Sequence, residues 1–165
     1  MVPPRIILQP CRTLPLALHA AAWDGPWGRL WLRGTEEAVT GTAFADPLAM
    51  SPRSGLTATA SALPAPWQGL DPLTVMVSGT AFQLQVWQAL AALPPGTFIS
   101  YACLARRIGR PRAVRAVAGA VARNPVPVLL PCHRIIRADG ETGGYVGGRP
   151  RKQQLIRWEM QSTKP

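Results

Sequence analysis

Through the first 78 residues the apolar positions fall in short clusters broken by proline, glycine and polar turns. Arg5-Ile6-Ile7-Leu8 and Leu14-Pro15-Leu16-Ala17-Leu18 read as short strands. Gly28-Arg29-Leu30-Trp31-Leu32 and Val39-Thr40-Gly41-Thr42-Ala43-Phe44 flank a polar turn at 33–37 and predict a hairpin. The segment from Pro47 to Pro72 is rich in proline and predicts a loop or an abbreviated helical connection. Leu73-Thr74-Val75-Met76-Val77 is a further strand candidate. From Thr80 the period changes to that of a helix, with Phe82, Val86, Ala89, Leu90 and Leu93 on one face and Pro94-Pro95-Gly96 ending it. Ser100 is a suitable N-cap for a second helix, Tyr101 to Ile108, closed by Gly109. Pro111 opens a third, whose Val114, Val117, Ala118 and Val121 share a face.

Asn124-Pro125-Val126-Pro127 stops that helix, because proline cannot continue it. Val128-Leu129-Leu130 is strand-like and leads into Pro131-Cys132-His133-Arg134-Ile135-Ile136. A glycine-rich loop runs from Gly140 to Gly148, and a last helix from about Pro150 to Met160. On that helix Glu159 shares the inward face of Leu155 and Ile156. A buried carboxylate needs a partner, and the histidine upstream is a candidate. The pattern predicts an α/β protein: a small N-terminal sheet domain over 1–78, and a mostly helical domain over 79–165.

Apolar residues make up 47% and charged residues 16%, which favours a packed core over disorder. No apolar run approaches the roughly 18 residues of a membrane span, and the start lacks the features of a secretory signal. A cytoplasmic protein is expected, nucleoid-associated in a prokaryote. The net charge of +10 lies entirely in residues 101–165, since acids and bases balance in 1–100. A field localised in this way suits a polyanion, with nucleic acid foremost. The second and third helices, joined by Gly109-Arg110-Pro111, form either a helix-turn-helix or an ordinary hairpin with solvated arginines. Arg112, Arg115 and Arg123 lie on the exposed side of the third, and small Ala113 and Ala116 allow close approach.

Three cysteines, Cys11, Cys103 and Cys132, lie far apart with no paired spacing, against a disulfide framework. Cys103 falls among core positions. Cys11 and His19 are too few for a tetrahedral zinc site, so no metal and no cofactor are expected. Cys132, His133 and Glu159 supply the three residue types of an activated thiol: nucleophile, base and orienting carboxylate. Adjacent residues of an extended segment point to opposite faces, so a Cys-His contact there needs a turn or a bridging water. The alternative is a buried, inert cysteine.

The stretch Pro131-Cys132-His133-Arg134-Ile135-Ile136 resembles the active-site signature of the O6-alkylguanine-DNA alkyltransferases. The resemblance extends over about half the chain, residues 79–160. Upstream it takes in Gly79-Thr80-Ala81-Phe82-Gln83, Val86-Trp87, Ser100-Tyr101, Arg115-Ala116-Val117 and Asn124-Pro125-Val126-Pro127. Downstream it takes in Gly143-Gly144-Tyr145, Gly147-Gly148, Lys152, Leu155-Ile156 and Glu159. It implies a DNA repair protein that moves an alkyl group from guanine O6, and from thymine O4, irreversibly onto Cys132. His133, through a water and backed by Glu159, would take the thiol proton. Tyr101 would donate to the departing base, and Asn124 would tie the helical motif to the active-site strand. Arg115 would fill the gap left by a flipped nucleotide from the minor groove, with little sequence preference. Ala113, Arg112, Arg134 and Lys152 are expected among the DNA contacts, with Arg149 and Arg151 at phosphates or the last helix start. Tyr145, Val146, Pro127, Gly143 and the backbone of Ile135 would line the substrate pocket. The implied form is a monomer, with cooperative assembly on DNA left open.

Duller roles stand beside these: Tyr101 as helix packing, Arg115 as one more phosphate contact, Tyr145 as a loop anchor. A non-catalytic lesion sensor and a helix-turn-helix regulator are the competing functions. The first 70 residues depart most from the family pattern, and Val146 stands where a smaller residue is frequent.

Overall fold

The structure, a computed structural model, describes residues 5–14, 19–35, 37–44 and 72–162. Strands β1 (Ile6–Pro10), β2 (His19–Gly25), β3 (Gly28–Gly34), β4 (Val39–Ala43) and β5 (Leu73–Val77) form one sheet in the order β1-β5-β4-β3-β2. β5 runs parallel to both β1 and β4, while β2, β3 and β4 are antiparallel neighbours. Alternation selects the inner face: Leu30 and Leu32 of β3, and Leu73, Val75 and Val77 of β5, are buried. The β3–β4 hairpin and the strands near Ile6 and Leu73 lie where the pattern predicts them. β2 does not follow from periodicity, because its Ala20-Ala21-Ala22 run has little strand preference. Pairing with β3 through a two-residue turn imposes it. The expected strand at 14–18 and the proline-rich 47–71 stretch fall almost wholly outside the described residues.

Helix α1 (Ala81–Ala91) starts at a capping box, in which Thr80 and Gln83 satisfy each other's backbone N–H. It buries Val86, Trp87 and Leu90, and the Trp87 indole donates to the Ala120 carbonyl at 3.0 Å. A short strand β6 (Ile99–Ser100) leads into α2 (Tyr101–Arg107), capped by the Ser100 hydroxyl. Gly109, at φ +70°, takes the left-handed turn that ends it. Helix α3 (Val114–Ala122) begins three residues later than its proline suggests. Pro111 and Arg112 form a turn instead, and Ala113 holds the N-cap without a side-chain bond.

The segment Val128-Leu129-Leu130 is not the strand its composition suggests. The Leu130 N–H turns back to the Val126 carbonyl at 2.9 Å, and Val128 sits at φ +75°. Pro125, Pro127 and Pro131 remove the donors a ladder needs, so the apolar run folds into a buried turn. Cys132–Arg134 form a single 3-10 turn, followed by β7 (Ile135–Ile136), which pairs in parallel with β6. The last helix, α4 (Arg149–Ser162), packs Trp158 into an edge-on cluster with Trp23 and Trp27, at centroid distances of 6.4 and 4.6 Å. The core runs without a break from the sheet through these tryptophans into the helices. Among the described residues no helix is long and apolar enough to cross a membrane.

Candidate active site

Cys132 and His133 lie in a 3-10 turn rather than an extended segment, with only 6% and 1% of their surfaces exposed. The helix α4 carboxylate of Glu159 meets the turn from the other side. Its Oε1 lies 2.9 Å from His133 Nε2 and 2.6 Å from Arg134 Nη2, and its Oε2 accepts from Arg134 Nε at 2.9 Å and Gly96 N at 3.1 Å. Burial alone would raise the Glu159 pKa, but hydrogen bonds from His133 and Arg134 prevail and hold it at about 2. The group is therefore an anion at neutral pH, and an anion only accepts. His133 Nε2 must carry the proton, which leaves Nδ1 as a lone-pair acceptor. Nδ1 is buried and has no hydrogen-bond partner among the described residues. Burial also lowers the His133 pKa, against the pull of Glu159, so the ring is neutral at pH 7.

Cys132 is in the opposite situation. Burial pushes its thiol pKa up, while Asn124, Lys152 and the local backbone N–H groups oppose the shift. A thiol held protonated needs a base, and the free nitrogen of the adjacent histidine is of that type. The Asn124 side chain ties the region together: Nδ2 donates to the Leu130 carbonyl at 2.7 Å, and Oδ1 accepts from Val126 N at 3.0 Å. Tyr101 is half-buried. Burial, then the proximity of Cys132, raises its pKa, so it remains a donor. Gly143 is buried at φ +69°, and a side chain built there would lie 3.9 Å from the Tyr101 hydroxyl. Tyr145 packs its ring 5.9 Å from Phe44, Pro127 is buried, and Val146 projects outward with 68% exposed.

Arg134 and Lys152, expected at DNA, are not on the surface. Arg134 is 5% exposed and balances Glu159, with Nη1 donating to the Leu93 carbonyl. Lys152 is 1% exposed, and its Nζ donates to the Ile135 carbonyl at 2.6 Å. Both cations are held inside by acceptors that only the folded chain provides, the condition for burying a charge. Lys152 thereby uses a lone pair on the carbonyl expected to face a base, and its charge favours the Cys132 thiolate. Arg112 and Arg115 are exposed at the start of α3, with Ala113 half-buried beside them. Arg123 folds back on its own helix at Gly119.

Sequence reasoning also missed what the N-terminal sheet contributes. Thr42 of β4 donates from Oγ1 to the Pro127 carbonyl at 2.8 Å and from its N–H to Pro125 at 3.2 Å, fixing the loop that Asn124 opens. Arg151 donates to the Trp27 carbonyl and lies over the Phe44 ring. The only signal in the sequence was Thr42 and Phe44 at the end of a predicted strand.

Comparison with known proteins identifies the family of the chain. The DNA-binding domain of the 6-O-methylguanine DNA methyltransferases matches residues 81–161. The bifunctional transcriptional activator/DNA repair enzyme Ada of Escherichia coli is 52% identical over 95 residues, 56% of this chain. The chain spans about a quarter of that protein's length, 27%. A methylated-DNA–protein-cysteine methyltransferase of Mycobacterium leprae is 38% identical over 152 residues, covering 86% of this chain and 92% of the relative. In three dimensions the chain is similar to Mycobacterium tuberculosis OGT, crystallised in complex with DNA. The TM-score is 0.76 at 32% identity, over 87% of this chain and 94% of that one. A similarity of this extent, with a protonated thiol beside a carboxylate-oriented histidine, places the chain in the methylated-DNA–protein-cysteine methyltransferase family.

Proposed function

We propose that this protein repairs alkylated duplex DNA by moving the alkyl group from guanine O6, and from thymine O4, onto Cys132. The observation that carries the reading is the unpartnered, lone-pair-bearing Nδ1 of His133 beside a buried, protonated thiol. Through a water, that nitrogen takes the thiol proton as sulfur attacks the alkyl carbon in line. Tyr101 donates to the base as charge develops on it, the preorganised stabilisation such a leaving group needs. The thioether is not readily reversed, so each molecule acts once. A thiol only 6% exposed cannot reach a stacked base, so the nucleotide must rotate out of the helix. Arg115, on the exposed start of α3, fills the gap from the minor groove, where small neighbours permit close approach. The protein acts as a monomer, and residues 1–78 and 79–165 serve as support and reaction domains respectively.

Intact-protein and peptide mass spectrometry after incubation with duplex DNA carrying one O6-methylguanine tests the reading. One methyl adduct on Cys132 is expected, absent in Cys132→Ala, which still binds the DNA. An unmodified Cys132 in a protein that binds the lesion would instead describe a sensor. Arg115→Ala should slow transfer from duplex DNA about tenfold, about 1.4 kcal/mol of the unstacking cost, while sparing reaction with the free base O6-methylguanine. Equal losses with both substrates would remove the intercalating role.

A further inference from the structure

Past the active-site turn, the chain leaves the short β6–β7 pair beside Tyr101. Ile99 pairs with Ile135 and Ser100 with Ile136 in parallel register, so Tyr101 and Arg137 follow from adjacent strand ends. Their side chains remain neighbours. A Cβ at Gly143 would stand 3.4 Å from Arg137 Cγ and 3.9 Å from the Tyr101 hydroxyl. The buried Gly143 is thus the floor between the two, and the Arg137 side chain, 55% exposed, stands at the solvent edge of that floor.

Arg137 opens a tight turn. Its N–H donates to the Glu141 carbonyl at 2.8 Å, the Gly140 N–H returns to its own carbonyl at 3.1 Å, and Asp139 Oδ1 accepts from Glu141 N at 3.0 Å. Asp139 Oδ2 also lies 3.2 Å from Arg137 Nη2, and its side chain is 52% exposed. Between Gly79 and Pro165 the acidic residues are Asp139, Glu141 and Glu159, and Glu159 is buried. Both exposed acidic side chains of a strongly basic domain therefore sit in the turn next to Tyr101. On charge alone, that placement repels the phosphates of an entering nucleotide. The ion pair changes the outcome. An exposed pair contributes little in water, and a guanidinium offers a phosphate the same forked donors that it offers a carboxylate.

Resting on alkyl transfer from a flipped nucleotide to Cys132, we propose that Arg137 is a phosphate-binding residue at the mouth of the site. It leaves Asp139 to hold one of the two phosphates flanking the flipped nucleotide, which seats the base against its neighbour Tyr101. Asp139 keeps the guanidinium at the lip while no DNA is bound, and competes with the phosphate for it.

The full chain, below saturation, is incubated with three duplexes, and the methyl adduct on Cys132 is followed by intact mass. One carries O6-methylguanine with native phosphates; the others replace the phosphate on its 5′ or its 3′ side with a neutral methylphosphonate. In the wild-type chain one of these replacements should slow transfer about tenfold, the scale of one charge-assisted hydrogen bond. In Arg137→Ala the native duplex should be slowed by a similar factor, and the same methylphosphonate should cost little more. Native and neutral duplexes are compared on one variant, so any loss of folded protein cancels from the ratio. Asp139→Asn keeps an oxygen for the Glu141 N–H and removes the competing charge. It should speed transfer from the native duplex about threefold, the scale of one exposed ion pair, and leave that methylphosphonate duplex unaffected. A wild-type chain indifferent to both methylphosphonates, or penalties that persist undiminished in Arg137→Ala, overturns the assignment. Absence of a methyl adduct from the native duplex in the wild-type chain would instead sink the alkyl-transfer reading on which it rests.

Discussion

With glutamine in place of Glu159, alkyl transfer to Cys132 slows by about a hundredfold or more, the usual contribution of a positioned base, and the fold loses about 3 kcal/mol. The carboxylate accepts from His133, Arg134 and Gly96 at once, and is 1% exposed. A neutral amide cannot balance the Arg134 guanidinium, which remains buried beside it. It also presents an NH2 group that can donate to His133 Nε2. The ring proton then moves to Nδ1, and the nitrogen needed to take the thiol proton is occupied. The first effect is read as a urea midpoint, the second as single-turnover methyl transfer well below the melting temperature. Lost stability with an unchanged rate on the folded fraction would reduce Glu159 to a core residue.

Acid acts on the same cluster in the wild-type chain. The Glu159 carboxyl is held down to about 2 in the fold against an ordinary 4.5, so its contribution is present above pH 4.5 and is lost as pH falls toward 2. His133 is also held below its ordinary 6.5 by burial, so its contribution is lost as pH falls below that value. For both groups the unfolded chain binds more protons, and stability must therefore fall with acid. Urea midpoints measured from pH 7 to pH 3 should decline monotonically; a midpoint that rises over that interval contradicts the buried neutral histidine.

Asn124→Ala has the second large effect. Its side chain is the partner of the Leu130 carbonyl and the Val126 N–H, in a loop where prolines leave few other donors. Removing it leaves the buried Val126 N–H unsatisfied and takes one of two donors from the Leu130 carbonyl, which still accepts from Cys132 N at 2.7 Å, so a loss of about 1–3 kcal/mol is expected. For a chain of this size that lowers Tm by roughly 2–12 °C. The thiol also loses the lowering influence of the Asn124 amide, and its pKa rises further. The pH at which Cys132 reacts with iodoacetamide should shift upward in the variant. An unmoved profile would confine Asn124 to holding the loop.

Some of this was legible before any coordinates. The change of period at Thr80, the caps at Ser100 and Gly109, and the inward face of Glu159 are local properties, and local patterns survive folding when the core agrees with them. The charge asymmetry drew attention to the arginines of the helix pair, and Arg112 just before α3 and Arg115 within it are exposed. Other signals misled for reasons that are equally physical. Val128-Leu129-Leu130 has strand composition, yet flanking prolines deny it a ladder. Arg134 and Lys152 read as surface cations, because a sequence shows charge without showing the acceptors that surround it.

The residue chemistry is written along the chain: a thiol, an imidazole beside it, and a carboxylate at helical distance from the last apolar residues. Which histidine nitrogen is free comes from the folded contacts, since it depends on Glu159 being an anion under the joint hold of Arg134 and Gly96. The fold alone also joined β4 to the site, through Thr42 on Pro127 and Phe44 under Arg151. The reason is range. Periodicity and capping act over a few residues, whereas these contacts join positions more than 80 apart, and only the closed core brings them within hydrogen-bond reach.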